Sequence, residues 1–295
     1  MGTSSAYGGA GGGTPLVPSW LDGGAASAGG DGPAVTPGEN GSTTPSTPPT
    51  VPAAPAPRTV KPTPGASDRF TAPRSNFSRF ASSGGSDRRS LGRAVSGYVS
   101  KSAGGSARAA QRMGSSRGAG AGLVRFLNDA SANGVRDALR TLNLEGLAGR
   151  PIEEVFAGLA DYICPEGGTI DEGIARDAFI ETIADLAAAG ITDVDGLTPA
   201  QIQTVFELYA THAIEARICN DIGTKAVTLP ADARAAERVE AQLREFIARG
   251  VSDAVNAAAV NIQSLTPDAV TGFVDDVYQS AFEILQTMGD GEAAA

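Results

Sequence analysis

The sequence has one histidine, one tryptophan and two cysteines, and no apolar run approaching the ~18 residues that a membrane-spanning helix needs. With His212 as its sole histidine, the chain cannot build most metal centres or more than one histidine-based catalytic site. Cys164 and Cys219 lie far apart and outside any CxxC spacing, which argues against both a disulfide framework and a zinc module. The first residues lack a charged stretch leading into an apolar one, so no secretory signal is read and a cytoplasmic location is expected. No GxxxxGK[ST] occurs, and the early GGAGGG has neither a strand before it nor a helix after it, so a phosphate loop is not indicated. On a helix His212 would share a face with Glu215 and Cys219, which is half a metal site at most; a packed, hydrogen-bonded histidine is the simpler expectation. Paired acids such as Glu153-Glu154 and Asp275-Asp276 read as solvent-facing helix residues. Neither catalysis nor a bound metal or cofactor is expected.

What the chain does have is distributed very unevenly. Thirteen of the 18 prolines fall before residue 74, and most glycines before residue 123. A stretch so composed buries too little apolar surface to offset its chain entropy, so residues 1–67 are expected to be a disordered arm. Charge is split as well. Residues 1–122 carry 12 Lys and Arg against 5 Asp and Glu, a net of +7, whereas residues 123–295 carry 11 against 28, a net of −17. A basic front on an acidic body implies self-contact or separate partners for the two parts.

Within the arm, residues 1–20 (MGTSSAYGGAGGGTPLVPSW) stand out as a recognition tip, because Tyr7, Leu16 and Trp20 have no use in mere filler. Residues 21–67 are a Pro/Thr/Ala linker. Gly2 is small enough for Met1 to be removed, which would leave a free, unhindered glycine amine. Ala6 stands where myristoylation wants Ser or Thr, so that amine is expected to serve another modifying enzyme.

Residues 68–117 form a basic, partly helical segment. Arg69, Arg74, Arg79, Arg88, Arg89 and Arg93 lead it, with Phe70, Phe77 and Phe80 interleaved, a pattern suited to gripping phosphates and stacking on bases or to docking on a partner. Leu91, Ala94, Val95, Tyr98 and Val99 follow helical spacing from a cap at Ser86 or Asp87, and Gly104-Gly105 breaks that helix. Residues 118–290 read as an acidic all-helical domain, with helices over about 118–132, 135–142, 151–164, 169–190, 198–222, 231–250 (extending, bent, towards 264) and 266–289, and a disordered tail at 291–295. Thr169-Ile-Asp-Glu172 and Thr198-Pro-Ala-Gln201 are capping boxes. Only KAVTL at 225–229 hints at extended chain. The fold class is all-α, a multi-helix domain behind a long Gly/Pro/Ser/Thr-rich arm.

Read together, MGTSSAYGGAGGGTPLVPSW, DRRSLGRAVSGYVS, ARAAQRMGSSR, LNLEGLAGRPIEEVFAGLADYICPEGGTIDEGIARDAFIETIADL and HAIEARICNDIG resemble the QatB family, a component of the four-gene Qat anti-phage defence system. The resemblance covers nearly the whole chain except about 25–65. It implies three partners: an ATPase, a TatD-like nuclease and a QueC-like enzyme, the last of a class that activates a deazaguanine carboxylate with ATP and couples it to an amine. The amine of Gly2 is then the expected acceptor, with Tyr7, Leu16 and Trp20 as partner-binding anchors. The alternative implication is an adaptor that uses residues 68–117 to bring the nuclease to phage DNA.

Overall fold

Threonine and asparagine or aspartate caps set where the helices of this chain begin, and glycines set where several of them end. The computed structural model describes residues 68–164, 168–223, 227 and 229–295, and no strand occurs among them. Ten α-helices are present there: α1 Thr71–Ser82, α2 Arg88–Gly97, α3 Ser106–Gln111, α4 Gly114–Asn133, α5 Val135–Thr141, α6 Ile152–Ile163, α7 Ile170–Ala188, α8 Pro199–Ile222, α9 Ala233–Ala257 and α10 Pro267–Ala294. No described helix is long and apolar enough to cross a membrane.

The expected caps are in place. Asp87 accepts from the Ser90 N–H to open α2. Thr169 with Glu172, and Thr198 with Gln201, form reciprocal capping boxes at α7 and α8, and Pro199 and Pro267 occupy first-turn positions of α8 and α10. Gly104 and Gly105 take φ of 87° and 106°, a conformation that L side chains avoid, and there the chain leaves one helix to start α3.

Three features depart from the sequence reading. First, α1 exists where only interleaved aromatics were read. Phe70, Phe77, Phe80 and Ala81 lie at helical spacing and are all buried, so the pattern was a core stripe. Second, α2 runs into a π-helical turn, Tyr98–Ala103, which buries Tyr98, Val99, Ser102 and Ala103 together. Third, α10 continues to Ala294, so the tail expected at 291–295 is helical up to that residue. Of the KAVTL stretch, Val227 and Leu229 are described and neither is in a strand.

The described residues from 68 to 295 form one unit, and the basic segment belongs to its core. α8 is the central helix, with Val205, Phe206, Tyr209, Ala213 and Ile218 fully buried between α7 and α9. α10 packs most extensively on α2 and then on α9, α3 and α4. The α2–α10 approach depends on two glycines. A Cβ on Gly92 would sit 2.5 Å from the Gly289 carbonyl oxygen, and one on Gly289 would sit 2.6 Å from that of Gly92. The obstacle on each side is backbone, which cannot rotate away.

The glycine contact yields a paired test. Gly92→Ala should lower stability by about 1–3 kcal/mol through forced separation of the two helices. Gly272→Ala, on the open face of α10 with nothing within 4 Å, should raise it by roughly 0.5–1 kcal/mol. Urea unfolding midpoints of the two variants check both signs.

Candidate functional site

The residues expected to meet partners fall into two groups. Gly2, Tyr7, Leu16 and Trp20 lie outside the described residues. The arginines of the basic segment are described, and they divide by role. Arg69 and Arg74 hold their guanidinium carbons 4.9 and 5.4 Å from the centre of the Phe70 ring. Arg74 also donates from Nε to the Ile222 carbonyl at the end of α8, a site where a cation meets the negative end of the helix dipole. Arg88 donates to Gln242 Oε1 at 3.0 Å and lies 3.9 Å from Glu292. Arg79, Arg89 and Arg93 are exposed and form no ion pair among the described residues.

Base stacking by the interleaved phenylalanines is ruled out. Phe80 is fully buried and Phe70 and Phe77 are each 8% exposed, so their ring faces are spent on the core. The sequence left stacking on bases and docking on protein both open; the spacing is the inner face of α1.

A buried ionic network joins the basic segment to the body. Tyr98 donates to Asp221 Oδ2 at 3.0 Å, and Arg112 Nη2 reaches the same oxygen at 3.2 Å. Arg217 Nη1 lies 3.8 Å from Asp221 Oδ1, while its Nη2 donates to the Arg112 carbonyl and to Asp171. Arg217 Nε is buried and has no hydrogen-bond partner among the described residues. Burial, reinforced by the adjacent Asp221 carboxylate, pushes the Tyr98 phenol far above its ordinary pKa, so it stays a donor. The network ties α2's π turn, the end of α3, the start of α7 and the end of α8. Sequence reasoning passed over it, although Arg217 and Asp221 stand at i and i+4 within HAIEARICNDIG, the spacing of an intrahelical ion pair.

His212 is 2% exposed. Its Nε2 lies 2.8 Å from Asp185 Oδ2 and its Nδ1 3.9 Å from Glu215 Oε2, which accepts from Arg244 Nε at 2.8 Å. Burial holds the Glu215 carboxyl above its ordinary value against the pull of Arg244. Burial raises the Cys164 thiol to about 11 and raises that of the partly buried Cys219, one turn beyond Glu215, further, which disfavours the thiolate at both. Among the described residues no group of three or more His, Cys, Asp or Glu side chains is placed to hold a metal ion. A cleft of about 350 Å³ lies elsewhere, between the end of α9 and α10, walled by Ala254, Ala258, Val260, Leu265, Phe273 and Val277. Asp276 and Ser280 are the polar side chains on its wall, and none of the partner-binding or modification residues expected from the sequence lines it.

Comparison with known proteins assigns the family. The model of the Qat anti-phage system associated protein QatB matches residues 104–285, more than half of the chain. The chain belongs to the QatB family. It is thus an associated protein of an anti-phage system. No curated protein and no solved structure matches it. The region matched to the QatB family contains Arg112, Asp171, Arg217 and Asp221, whereas Tyr98 and the exposed arginines of α1 and α2 precede it.

The network makes a prediction of its own. Asp221→Asn leaves Arg112 and Arg217 facing each other without their shared carboxylate, and should cost about 3–5 kcal/mol. Tyr98→Phe removes one hydrogen bond and should cost about 1–3 kcal/mol, because the carboxylate it served stays buried. Chemical denaturation of the two variants should rank them in that order.

Proposed function

We propose that this chain is a non-enzymatic component of its defence system whose N-terminus is a modification substrate. Once Met1 is removed, the Gly2 amine attacks a 7-deazaguanine carboxylate that a QueC-like enzyme has activated with ATP as an acyl-adenylate. An amide bond forms, AMP leaves, and the amine gives up a proton. Residues 3–20 are what that enzyme reads, with Tyr7, Leu16 and Trp20 as anchors. The helical unit docks on other system components, foremost the ATPase, and the TatD-like nuclease completes the set.

The observation that carries this reading is a contrast within the chain. The sole tryptophan and a run of unhindered glycines are placed at the start, while the described histidine and cysteines are buried in the core or against it. Chemistry done by this chain would need a reactive group within reach of a substrate. Chemistry done to it needs only an accessible acceptor on a readable segment.

Intact-mass and peptide mass spectrometry of the chain coexpressed with the QueC-like enzyme should find the added group on Gly2, absent when that enzyme is inactivated. Gly2→Pro should abolish both the adduct and phage defence. An unmodified N-terminus, or full defence by Gly2→Pro, would overturn the reading.

A further inference from the structure

Two faces of the helical unit carry charges of opposite sign that form no ion pair among the described residues. The first is an arginine corner. Arg89 and Arg93 stand one turn apart on the open side of α2, and Arg79 is in the last turn of α1. α9 passes beneath the α1–α2 turn: a Cβ on Gly84 would lie 3.8 Å from Arg238 Nη2, and Arg88 bonds Gln242 one turn further along. Arg234, one turn before Arg238, extends the row. Arg79, Arg89, Arg93, Arg234 and Arg238 are all exposed, and none makes an ion pair among the described residues. Of the nearby carboxylates, Asp87 and Asp232 cap helices and Glu292 meets Arg88, while the exposed Glu237 lies on α9 between Arg234 and Arg238. Elsewhere Arg112, Arg117, Arg136, Arg140, Arg150, Arg176, Arg217 and Arg244 each meet an acid, while Arg69, Arg74 and Arg249 lie over aromatic rings and Arg125 bonds neutral groups.

The second face is the outward side of α7. Asp177 and Glu181 are one turn apart there and form no ion pair among the described residues. Between them projects Ile180, 50% exposed, one of the few large apolar side chains left open to water. Partial burial and then the neighbouring Glu181 raise the Asp177 carboxyl, with Arg176 opposing, so the charge at this position lacks full compensation. An apolar centre with a charged rim is the layout of a docking surface.

We propose that two copies of this chain associate head to tail, the arginine corner of one seating on the Asp177–Ile180–Glu181 face of the next. The i, i+4 spacing of Arg89 and Arg93 matches that of Asp177 and Glu181, so two helices laid side by side bring the pairs into register. Nucleic acid fits the corner less well. The aromatic rings of the basic segment are buried, and the chain as a whole carries a net charge of −10, which repels a polyanion. A contact between two different faces is heterologous, so it propagates into a ring or an open row. Being built from exposed pairs, it weakens as salt rises.

Sedimentation velocity of the full chain, across concentration at low and high salt, is the first measurement. Mass should rise with concentration at low salt and fall back at high salt. Two charge reversals follow: Arg89→Glu with Arg93→Glu, and Asp177→Lys with Glu181→Lys. Each variant alone should stay monomeric, and an equimolar mixture of the two should associate again. Ile180→Ser, which leaves charge untouched, should weaken self-association about tenfold. Circular dichroism and melting curves matching those of the unaltered chain establish that the variants are folded. A chain that stays monomeric at every concentration in low salt would overturn the proposal, as would a mixture of folded variants that fails to associate. Binding of a short duplex DNA, lost on Arg89→Glu with Arg93→Glu in the absence of self-association, would assign the corner to nucleic acid instead.

Discussion

The contact between Gly92 and Gly289 is the constraint from which most of the architecture follows. Where two helices touch backbone to backbone, their flanking side chains are carried past each other and must pack. Leu91, Ala94 and Val95 on α2 and Tyr98 in the π turn that follows are buried, as are Tyr278, Phe282 and Leu285 along α10, whose most extensive packing is against α2. That approach makes the basic segment part of the core. It also sets Tyr98 over the end of α8, where Asp221 receives its hydroxyl together with Arg112. A side chain at either glycine would push α2 outward and pull the tyrosine off its acceptor, so packing and the ionic network fail or hold together.

The local part of this fold was legible in the sequence because caps are written within four residues. Thr169 with Glu172, and Thr198 with Gln201, specify a helix start irrespective of what the helix later packs against. The long-range part was not. Nothing in the neighbourhood of Gly92 announces that its partner is Gly289, and a glycine in a helix reads as a weakness until the second helix is in place. The same limit explains α1. Phe70, Phe77 and Phe80 between arginines fit a comb that stacks on bases and fit a buried helical stripe equally well, and only the tertiary partners decide between them. For the helix ends the error was smaller: Gly289 looked like a stop, yet it is an interior residue of α10 kept small for contact. Of the candidate site, the arginines were legible as a group, but their division into core-bound Arg74 and outward Arg89 and Arg93 depends on where the end of α8 lies.

Buried and exposed charges follow different rules here, and the difference bears on function. Arg217 and Asp221 are almost wholly buried, so each would be very costly alone, and the structure gives each a partner. Charges at the arginine corner face water, where being unpaired costs little, so folding alone does not select for their sign. Arginines predominate over α1, α2 and the start of α9, where Glu237 and Glu240 also lie, and carboxylates with Ile180 predominate along α7, which carries the single cation Arg176. Like charges one turn apart, such as Arg89 with Arg93 or Asp177 with Glu181, repel each other within one copy. Their arrangement becomes favourable only when an opposite face is brought to it.

Membership of a defence system gives that arrangement a context. In the proposed role, the chain contributes by what it presents and by what it binds. Presentation of an acceptor amine asks for an accessible terminus, which composition favours over residues 1–67. Binding asks for rigid faces with defined charge, which the glycine contact and the Tyr98–Asp221 network hold in place. Weak, salt-sensitive contacts between faces are reversible, and reversibility suits a component that has to respond to infection while remaining available for exchange between partners. The same physics that leaves the corner unpaired in one copy therefore makes it available to another.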